Sequence, residues 1–154
     1  MASNTILIGG SPEKQEYTCS EAITPGMLCE PGATANTMKK HATAGGAAAA
    51  IVAFEDELQG NEITDAYSAN NKGIFLHCKP GDRLYMLLAN GENAAWGAKL
   101  ESNGDGYLRV VDADTSAGTV IPGSIRFWNC GAAVDLSDSS GADPSTYRIY
   151  VEVM

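Results

Sequence analysis

Short apolar runs separated by turn residues fill residues 73–111. The runs GIFLHC, RLYMLLA, AWGAKLE and YLRVV alternate with the polar segments KPGD, NGE and SNGDG. Pro holds φ near the value that a turn requires and Gly readily adopts positive φ, so these polar segments predict turns between strands. Leu84, Met86 and Leu88 share one strand face, and the opposite face also carries large side chains. Cover on both faces predicts a closed or stacked sheet, and hence an all-β fold.

Two further segments carry extended patterns. Residues 147–153 alternate regularly, with the odd-numbered side chains on the inward face of a predicted strand. Residues 47–58 (AAAAIVAFEDEL) are compatible with a helix through Ala, Glu and Leu, and with a strand through Ile, Val and Phe. Gly residues flank this segment as they flank the other predicted strands, so we predict a strand here as well.

The N-terminal residues contain one apolar cluster, Ile6, Leu7 and Ile8, followed by Gly9 and Gly10. These glycines leave the direction of the chain adjustable. We interpret residues 1–17 as an extended arm and residues 18–154 as a single β domain. The apolar cluster either adds as an edge strand to its own domain or pairs with a neighbouring surface.

Residues 33–46 contain one large apolar side chain, Met38, and by this measure add little to a core. A segment of this length without an apolar anchor is typical of a functional loop or of a segment that a partner orders. We therefore predict a mobile or partner-facing loop, with Met38, Lys39 and Lys40 as candidate contact residues. For the basic cluster that His41 completes, the alternative is a solvated loop face.

The composition limits the range of functions. A chain of 154 residues forms one domain, and its formal net charge of -9 disfavours nucleic acid and anionic membranes as partners. The longest apolar stretch has eight residues, whereas a helix needs roughly 20 to span a bilayer. The first residues lack the basic start and long apolar centre of a secretory signal, which predicts synthesis in a cytoplasm.

No catalytic motif stands out. The four cysteines form no CxxC pair, and we expect free thiols that behave as small apolar groups. The nucleophile motif GxSxG and the phosphate-binding motifs are absent, and His41 and His77 are the only imidazole bases. We therefore expect a protein that is not an enzyme, with no catalytic residues and no cofactor.

Acidic clusters and two tryptophans are candidates for binding roles. Carboxylates near residues 55–57, 112–114 and 135–143 do not match the spacing of an EF-hand loop, so we interpret them as solubilising charge and assign no metal site. We expect Trp96 and Trp128 to anchor a core or an interface rather than to stack on a ligand. The alternative function is a carbohydrate- or calcium-binding β-sandwich module, or an enzyme, with the acidic loops around residues 135–143 as its site.

The order of several short motifs resembles one known family. These motifs are PGML at residues 25–28, an apolar run ending at Glu55, KPGDR at 79–83, LLANG at 87–91, Trp96-Gly97, and GDGYL at 104–108. Together with the acidic, small-residue composition, this order is similar to that of the head decoration, or cement, proteins of tailed bacteriophages. The resemblance covers roughly residues 25–111 and rests on the order of the motifs, because each is a turn signal common in β proteins.

The resemblance implies a small β-barrel or β-sandwich with an extended N-terminal arm and long loops. It implies a structural protein on the outer surface of the virion, made in the bacterial host cytoplasm, which binds the expanded capsid and bridges its capsomers. The implied partners are the major capsid protein and further copies of the chain, as a homotrimer or a dimer. By position, Ile6, Leu7 and Ile8 take the role of capsid or intersubunit contacts. The longer loop at residues 33–46 and the additional residues 112–154 depart from the family pattern.

Overall fold

The computed structural model describes residues 3–111, 122–137 and 147–154, and within them the fold is all-β, as predicted. In chain order the strands are β1 (Leu7–Gly9), β2 (Glu13–Cys19), β3 (Cys29–Pro31), β4 (Thr37–Lys40), β5 (Ile51–Phe54), β6 (Lys72–His77), β7 (Arg83–Leu88), β8 (Asn93–Ala94), β9 (Lys99–Ser102), β10 (Leu108–Val110), β11 (Phe127–Asn129), β12 (Val134–Asp135) and β13 (Tyr147–Val153). A 3₁₀ turn, Glu57–Gln59, follows β5. No helix in the described residues is long and apolar enough to cross a membrane.

Five strands close into a barrel in the order β7, β10, β9, β11 and β13, because β13 pairs back onto β7 through six residue pairs. The β7–β10 pair is parallel and the other pairs of the ring are antiparallel. Alternate side chains of each strand point inward and fill the ring with large apolar groups. These include Leu84, Met86, Leu88, Leu100, Leu108, Phe127, Ile149, Val151 and Val153.

A second sheet has the strand order β3, β4, β2, β6 and β5. A bridge between Leu28, just before β3, and Val52 of β5 brings the two ends of this sheet together. Its apolar residues form a second core around the fully buried Phe75. The short strands β8 and β12 pair with each other beside the barrel.

The N-terminal residues belong to these sheets. β1 pairs antiparallel with β7, and β2 pairs with β6 along residues 13–18, so the predicted boundary at residue 17 falls inside a strand. Between the two strands the chain turns at Gly10, which has a φ of 95° and where any Cβ would clash with the buried carboxylate of Asp82. Of the two alternatives for the apolar cluster, the structure has the edge strand of the chain's own domain.

Residues 33–46 differ from the predicted loop, because β4 lies within them and pairs with both β2 and β3. Met38 is buried in the second core, and His41 is buried with its Nε2 3.0 Å from the carbonyl oxygen of Ala47. The prediction of a segment without a core anchor was wrong here. Pairing with β2 on one edge and with β3 on the other orders β4, although its low apolar content predicts a loop.

The other predicted strands agree with the structure. Residues 51–54 of the ambiguous segment form β5, the segments GIFLHC and RLYMLLA form β6 and β7, and β13 has the predicted bounds. The hairpin expected at residues 112–119 and most of the polar loop expected at 136–145 lie outside the described residues.

Candidate interaction surface

Aromatic and charged side chains line the outer face of the barrel. Strand register places Trp128 of β11 opposite Glu152 of β13, and Glu152 opposite Arg83 of β7. Phe127, Leu84, Val151 and Val153, which adjoin these residues in the chain, point into the barrel core, so the three side chains point outward. Two residues before Glu152 on β13, Tyr150 lies opposite Tyr85, and both side chains also point outward. The barrel register therefore assembles a continuous row from three separate parts of the sequence.

Direct contacts hold this row in place. The indole Nε1–H of Trp128 donates to Oε2 of Glu152 at 3.2 Å, and Nε of Arg83 donates to Oε1 at 2.9 Å. Both carboxylate oxygens of Glu152 therefore accept a hydrogen bond. The hydrogen bond between Arg83 and Glu152 raises the pKa of the Arg83 guanidinium. The rings of Tyr85 and Tyr150 stack with centroids 4.7 Å apart. Partial burial and, as a smaller cause, the neighbouring Tyr150 hydroxyl raise the pKa of Tyr85.

Trp96 projects from the turn between β8 and β9 and is 70% exposed. The N–H of Ala98 donates to the carbonyl oxygen of Ala95 at 3.0 Å, and Gly97 takes the positive φ of 81° that suits the third position of such a turn. The ring of Trp96 meets that of Trp128 edge-on, with centroids 6.2 Å apart and planes at 85°. Trp96 therefore extends the outward row as its most exposed aromatic side chain.

A buried amide supports this turn from below. Asn129 is fully buried, and its Nδ2 lies 3.2, 3.0 and 3.2 Å from the carbonyl oxygens of Ala94, Ala95 and Ala132. Its Oδ1 accepts the N–H of Gly131 at 2.9 Å. Its backbone carbonyl accepts the N–H of Gly97, which directly follows Trp96 in the turn. Buried networks in which every polar group is paired rigidify the segments that they join. Asn129 thus fixes the backbone from which Trp96 projects.

The charge of this surface is opposite to that of the whole chain. Lys99 lies across from Trp128 on β9, is exposed, and forms no ion pair with any residue that the structure describes. With Arg83 it provides two positive charges against the single carboxylate of Glu152, in a chain with a net charge of -9. We name Trp96, Trp128, Arg83, Lys99 and Glu152 the Trp96 face. It is an aromatic surface with locally positive charge.

A depression of about 240 Å³ lies at the other end of β13, lined by Tyr85, Tyr147 and Arg148 among others. The Arg148 guanidinium donates to the carbonyl oxygens of Pro25 at 2.7 Å and Ile63 at 2.6 Å. Burial lowers the pKa of this guanidinium, although both of its terminal nitrogens are paired. Arg148 therefore connects the barrel to two loops of the second sheet.

The predicted contact residues do not form one surface. Ile6 is 0% exposed in the barrel core, and Met38 is buried in the second core, so neither presents its side chain to a partner. Both side chains contribute to the cores of their own domain, which does not support the contact role predicted for them. Leu7 is half-buried, and Ile8 is 41% exposed beside it.

Lys39 and Lys40 lie on β4 of the second sheet, away from the strand pairing of Ile8 on the barrel edge. Both side chains are half-buried, and Nζ of Lys39 forms an ion pair with Oε1 of Glu30 at 3.2 Å. Lys40 lines an open depression that also contains Tyr107 and Asp105. The basic cluster is therefore part of a paired strand rather than of a free loop.

The sequence predicts a core or an interface anchor for each tryptophan. The exposure of Trp96 excludes the core for that residue, and the interface stays a prediction. The sequence contained one signal for the exposure of Trp96. In NAAWGA the large aromatic side chain stands among Ala and Gly, whose side chains are too small to cover it. No pattern singled out Asn129, whose role depends on carbonyl groups that only the fold brings together.

One contact resembles a nucleophile and its base. Nδ1 of His41 lies 2.7 Å from Oγ of Ser102, and Nε2 of His41 lies 3.6 Å from a carboxylate oxygen of Glu30. Ser102 is 0% and His41 is 1% exposed, and Ser102 Oγ also accepts the N–H of Gly104 at 3.1 Å. With no access for a substrate, this group connects residue 41 to the turn after β9.

Asp135, one of the acidic candidates, is also engaged within the fold. Oδ1 of Asp135 accepts the N–H and the hydroxyl of Ser137, and these hydrogen bonds lower the pKa of Asp135. Asp112, Asp114, Asp138 and Asp143 lie outside the described residues. Within the described part, no group of three His, Cys, Asp or Glu side chains is placed to hold a metal ion. Comparison of the sequence with protein-family models and with curated proteins gives no significant match.

Proposed function

We propose that this chain is a structural protein of a phage virion that binds the outer surface of the expanded capsid and bridges its capsomers. The observation that carries the proposal is Trp96, an aromatic side chain 70% exposed on a turn that buried Asn129 holds in place. The order of turn motifs that resembles head decoration proteins supports it. The partner is the major capsid protein, the assembly is a homotrimer or a dimer, and no cofactor or catalytic step takes part.

The Trp96 face has the composition of a protein-binding surface. Trp, Tyr and Arg side chains provide most of the binding energy in protein interfaces, and they do so best near the centre of a well-packed contact. The hydrogen bonds to Glu152 and Asn129 already order this face in the free chain. A pre-ordered surface loses less conformational entropy on binding, which favours affinity.

Binding to one state of a shell is sufficient for a stabilising role. A protein that binds the expanded shell, and not its precursor, shifts the equilibrium toward the expanded shell by mass action. An oligomer that contacts several capsomers gains effective concentration at each further contact. The net charge of -9 repels nucleic acid phosphates, so the proposal places the chain on the protein shell rather than on the genome.

Cosedimentation with expanded shells and with procapsids tests the proposal. We expect saturable binding to expanded shells, weak or absent binding to procapsids, and at least about tenfold weaker binding of the Trp96→Ala variant. Ser68→Ala, an exposed change on a loop of the second sheet, is the matched control and should bind as the original chain does. Equal binding to both shell forms contradicts the proposal.

One observation favours a second candidate function, carbohydrate binding. The edge-on contact of Trp96 and Trp128 leaves an exposed aromatic surface, against which the apolar C–H groups of a sugar ring can pack. Arg83 and Glu152 beside it provide the few polar groups that orient a ligand. This location differs from the acidic loops around residues 135–143 that sequence analysis assigned to the alternative function.

Tryptophan fluorescence separates the two candidates, because both tryptophans lie on this face. Titration with a panel of soluble polysaccharides gives a saturable change in emission if the face binds carbohydrate, and Trp96→Ala abolishes it. A flat response to the whole panel, together with binding to expanded shells, supports the capsid proposal.

A further inference from the structure

Two large apolar side chains are far more exposed than the others in the described residues. Leu58 is 90% exposed and Trp96 is 70% exposed, so the chain itself covers neither of them. Isolated apolar side chains on a surface are common, but each of these two sits at the tip of an ordered segment. Trp96 has the supporting turn described above, and Leu58 lies in the 3₁₀ turn after β5.

The segment around Leu58 is ordered by its own hydrogen bonds. The N–H groups of Gln59 and Asn61 both donate to the carbonyl oxygen of Asp56, at 3.2 and 3.1 Å. The N–H of Glu62 donates to Oδ2 of Asp65 at 2.7 Å. We name residues 56–65 the Leu58 loop, and its backbone therefore presents Leu58 in a defined position.

The Leu58 loop is strongly acidic. It contains four carboxylates and no basic residue: Asp56, Glu57, Glu62 and Asp65. Among the residues that the structure describes, one ion pair reaches it and joins Nζ of Lys14 to Oε1 of Glu57 at 3.4 Å, with both side chains about half exposed. In the Leu58 loop an exposed apolar side chain is surrounded by carboxylates. On the Trp96 face an exposed apolar side chain lies beside the cations Arg83 and Lys99.

We propose that the Trp96 face of one copy binds the Leu58 loop of a second copy, in a head-to-tail contact. Pairing two Trp96 faces brings Lys99 and Arg83 of one copy toward the same cations of the other, and pairing two Leu58 loops brings carboxylates together. Like charges at a contact cost free energy, whereas the unlike pair is attractive. Charge therefore selects the heterologous contact over the isologous one.

A heterologous contact closes into a ring if the rotation between copies permits it. This agrees with the homotrimer of the proposed function. In such a ring the Leu58 loop of the next copy covers each Trp96 face, so Trp96→Ala weakens shell binding by dissociating the oligomer that contacts several capsomers at once. The inference rests on the self-association within that function and not on the identity of the capsid partner.

Single substitutions test the contact. Sedimentation equilibrium of the full chain should show self-association, with the dissociation constant at least about tenfold higher for Trp96→Ala and for Leu58→Ala. Tyr147→Ala, a change of a 38% exposed aromatic residue outside both surfaces, should leave the constant unchanged. Circular dichroism of each variant confirms that it is folded. Unchanged association of the folded Leu58→Ala variant overturns the proposal.

Mixing the two variants distinguishes head-to-tail from symmetric contacts. Trp96→Ala retains a functional Leu58 loop, and Leu58→Ala retains a functional Trp96 face. We expect each variant alone to be monomeric at a concentration where a 1:1 mixture forms dimers, because one intact contact remains between them. A mixture that stays monomeric contradicts the proposal.

Charge reversal adds an independent measurement. Lys99→Glu and Glu62→Lys should each weaken association, and a 1:1 mixture of the two should associate more strongly than either variant alone. Shell cosedimentation of the same proteins separates the two proposals. If the chain binds shells but Leu58→Ala does not change self-association, only the proposal of the head-to-tail contact is contradicted. If self-association behaves as expected but the chain does not bind shells, only the proposal of the capsid role is contradicted.

Discussion

Asn129 shows how much one buried side chain contributes to the candidate surface. Its amide nitrogen lies within hydrogen-bond distance of three carbonyl oxygens that belong to the segments on either side of β11. Two of these carbonyls, of Ala94 and Ala95, directly precede Trp96 in the chain, and in the described residues no other side chain donates to any of the three. The display of an exposed tryptophan thus depends on a residue that no partner touches.

Asn129→Ala removes these hydrogen bonds and leaves their partners unsatisfied. We expect the free energy of unfolding to fall by about 2–3 kcal/mol, because buried polar groups that lose their partners carry the desolvation cost. Urea denaturation followed by circular dichroism measures this change. Asn61→Ala, on an exposed loop, is the control and should change stability by less than about 0.5 kcal/mol. A similar small effect for Asn129→Ala contradicts the role assigned to the network.

The thiols differ in their accessibility and protonation. Burial raises the pKa of Cys19 to about 11 and that of Cys78 to about 12, and it raises the pKa of Cys29 further. Burial also raises the pKa of Cys130, but Arg83 nearby opposes this and the residue is partly exposed. A raised pKa leaves less thiolate, which is the reactive form.

In the folded chain at pH 8 we therefore expect slow reaction with a disulfide reagent, with Cys130 reacting before the others. In 8 M urea, a concentration of the order used for complete unfolding, all four thiols should react quickly. Mass spectrometry of the modified peptides identifies the order. Rapid modification of Cys19 or Cys29 in the folded state would show that the second core is open.

Strand β1 is the element whose role differs most from its prediction as a contact segment. The Ile6 side chain is packed in the barrel core, and its N–H donates to Oε2 of the buried Glu55 at 3.1 Å. The hydroxyl of Thr5 donates to the other oxygen of the same carboxylate. The carbonyl oxygen of Ile6 in turn accepts the N–H of Tyr85 on β7. The N-terminal residues therefore pair with β7 and fill part of the barrel core.

Substitution of two neighbouring isoleucines tests this assignment. Ile6→Ala should destabilise the fold by about 2–4 kcal/mol because it leaves a cavity in the core. Ile8→Ala should change stability by less than about 0.5 kcal/mol, because its side chain is 41% exposed. Thermal and urea denaturation measure both. Equal effects of the two changes would show that β1 does not pack as described.

Strand β4 illustrates a limit of local patterns. Its sequence, TMKK, has one apolar residue, yet β4 lies between β3 and β2 and is paired on both edges. The apolar contacts of Met38 come from residues distant in the sequence, such as Phe75 and Tyr67. A central strand with a polar sequence is possible here because its neighbours supply the core.

At the scale of the whole molecule, Arg148 connects the two sheets. It leaves the barrel on β13 and donates to the carbonyl oxygens of Pro25 and Ile63, which belong to loops of the second sheet. Gly26, with a φ of 92°, lies directly against this guanidinium, where a larger residue would displace it. The barrel and the second sheet also share β-type hydrogen bonds, such as that from Leu87 N–H to the carbonyl oxygen of Gly26.

These connections predict that both sheets unfold together. Tryptophan fluorescence reports the barrel, which holds both tryptophans, while far-ultraviolet circular dichroism reports all strands. In urea the two transitions should coincide. Arg148→Met should lower the free energy of unfolding by about 2 kcal/mol through loss of two charge-assisted hydrogen bonds. Separate transitions in the original chain would show that the sheets are independent units.

The amino-acid sequence alone determined the all-β class, the turns and the strands β5, β6, β7 and β13. These features depend on residues within a few positions of each other: Pro and Gly set the turn conformations, and alternation sets the faces. The order of these turns is also the sequence feature on which the proposed function depends. It supports a structural role that remains a proposal.

Only the tertiary structure decided the order of strands, the burial of Ile6, Met38 and His41, and the exposure of Trp96. Each depends on pairing between segments distant in the sequence, and a local pattern contains no information on which segments meet. The Trp96 face has the same origin, because Trp128, Glu152 and Arg83 meet only when β13 pairs with both β11 and β7. Closure of the barrel is thus the physical event that turns separate residues into one surface.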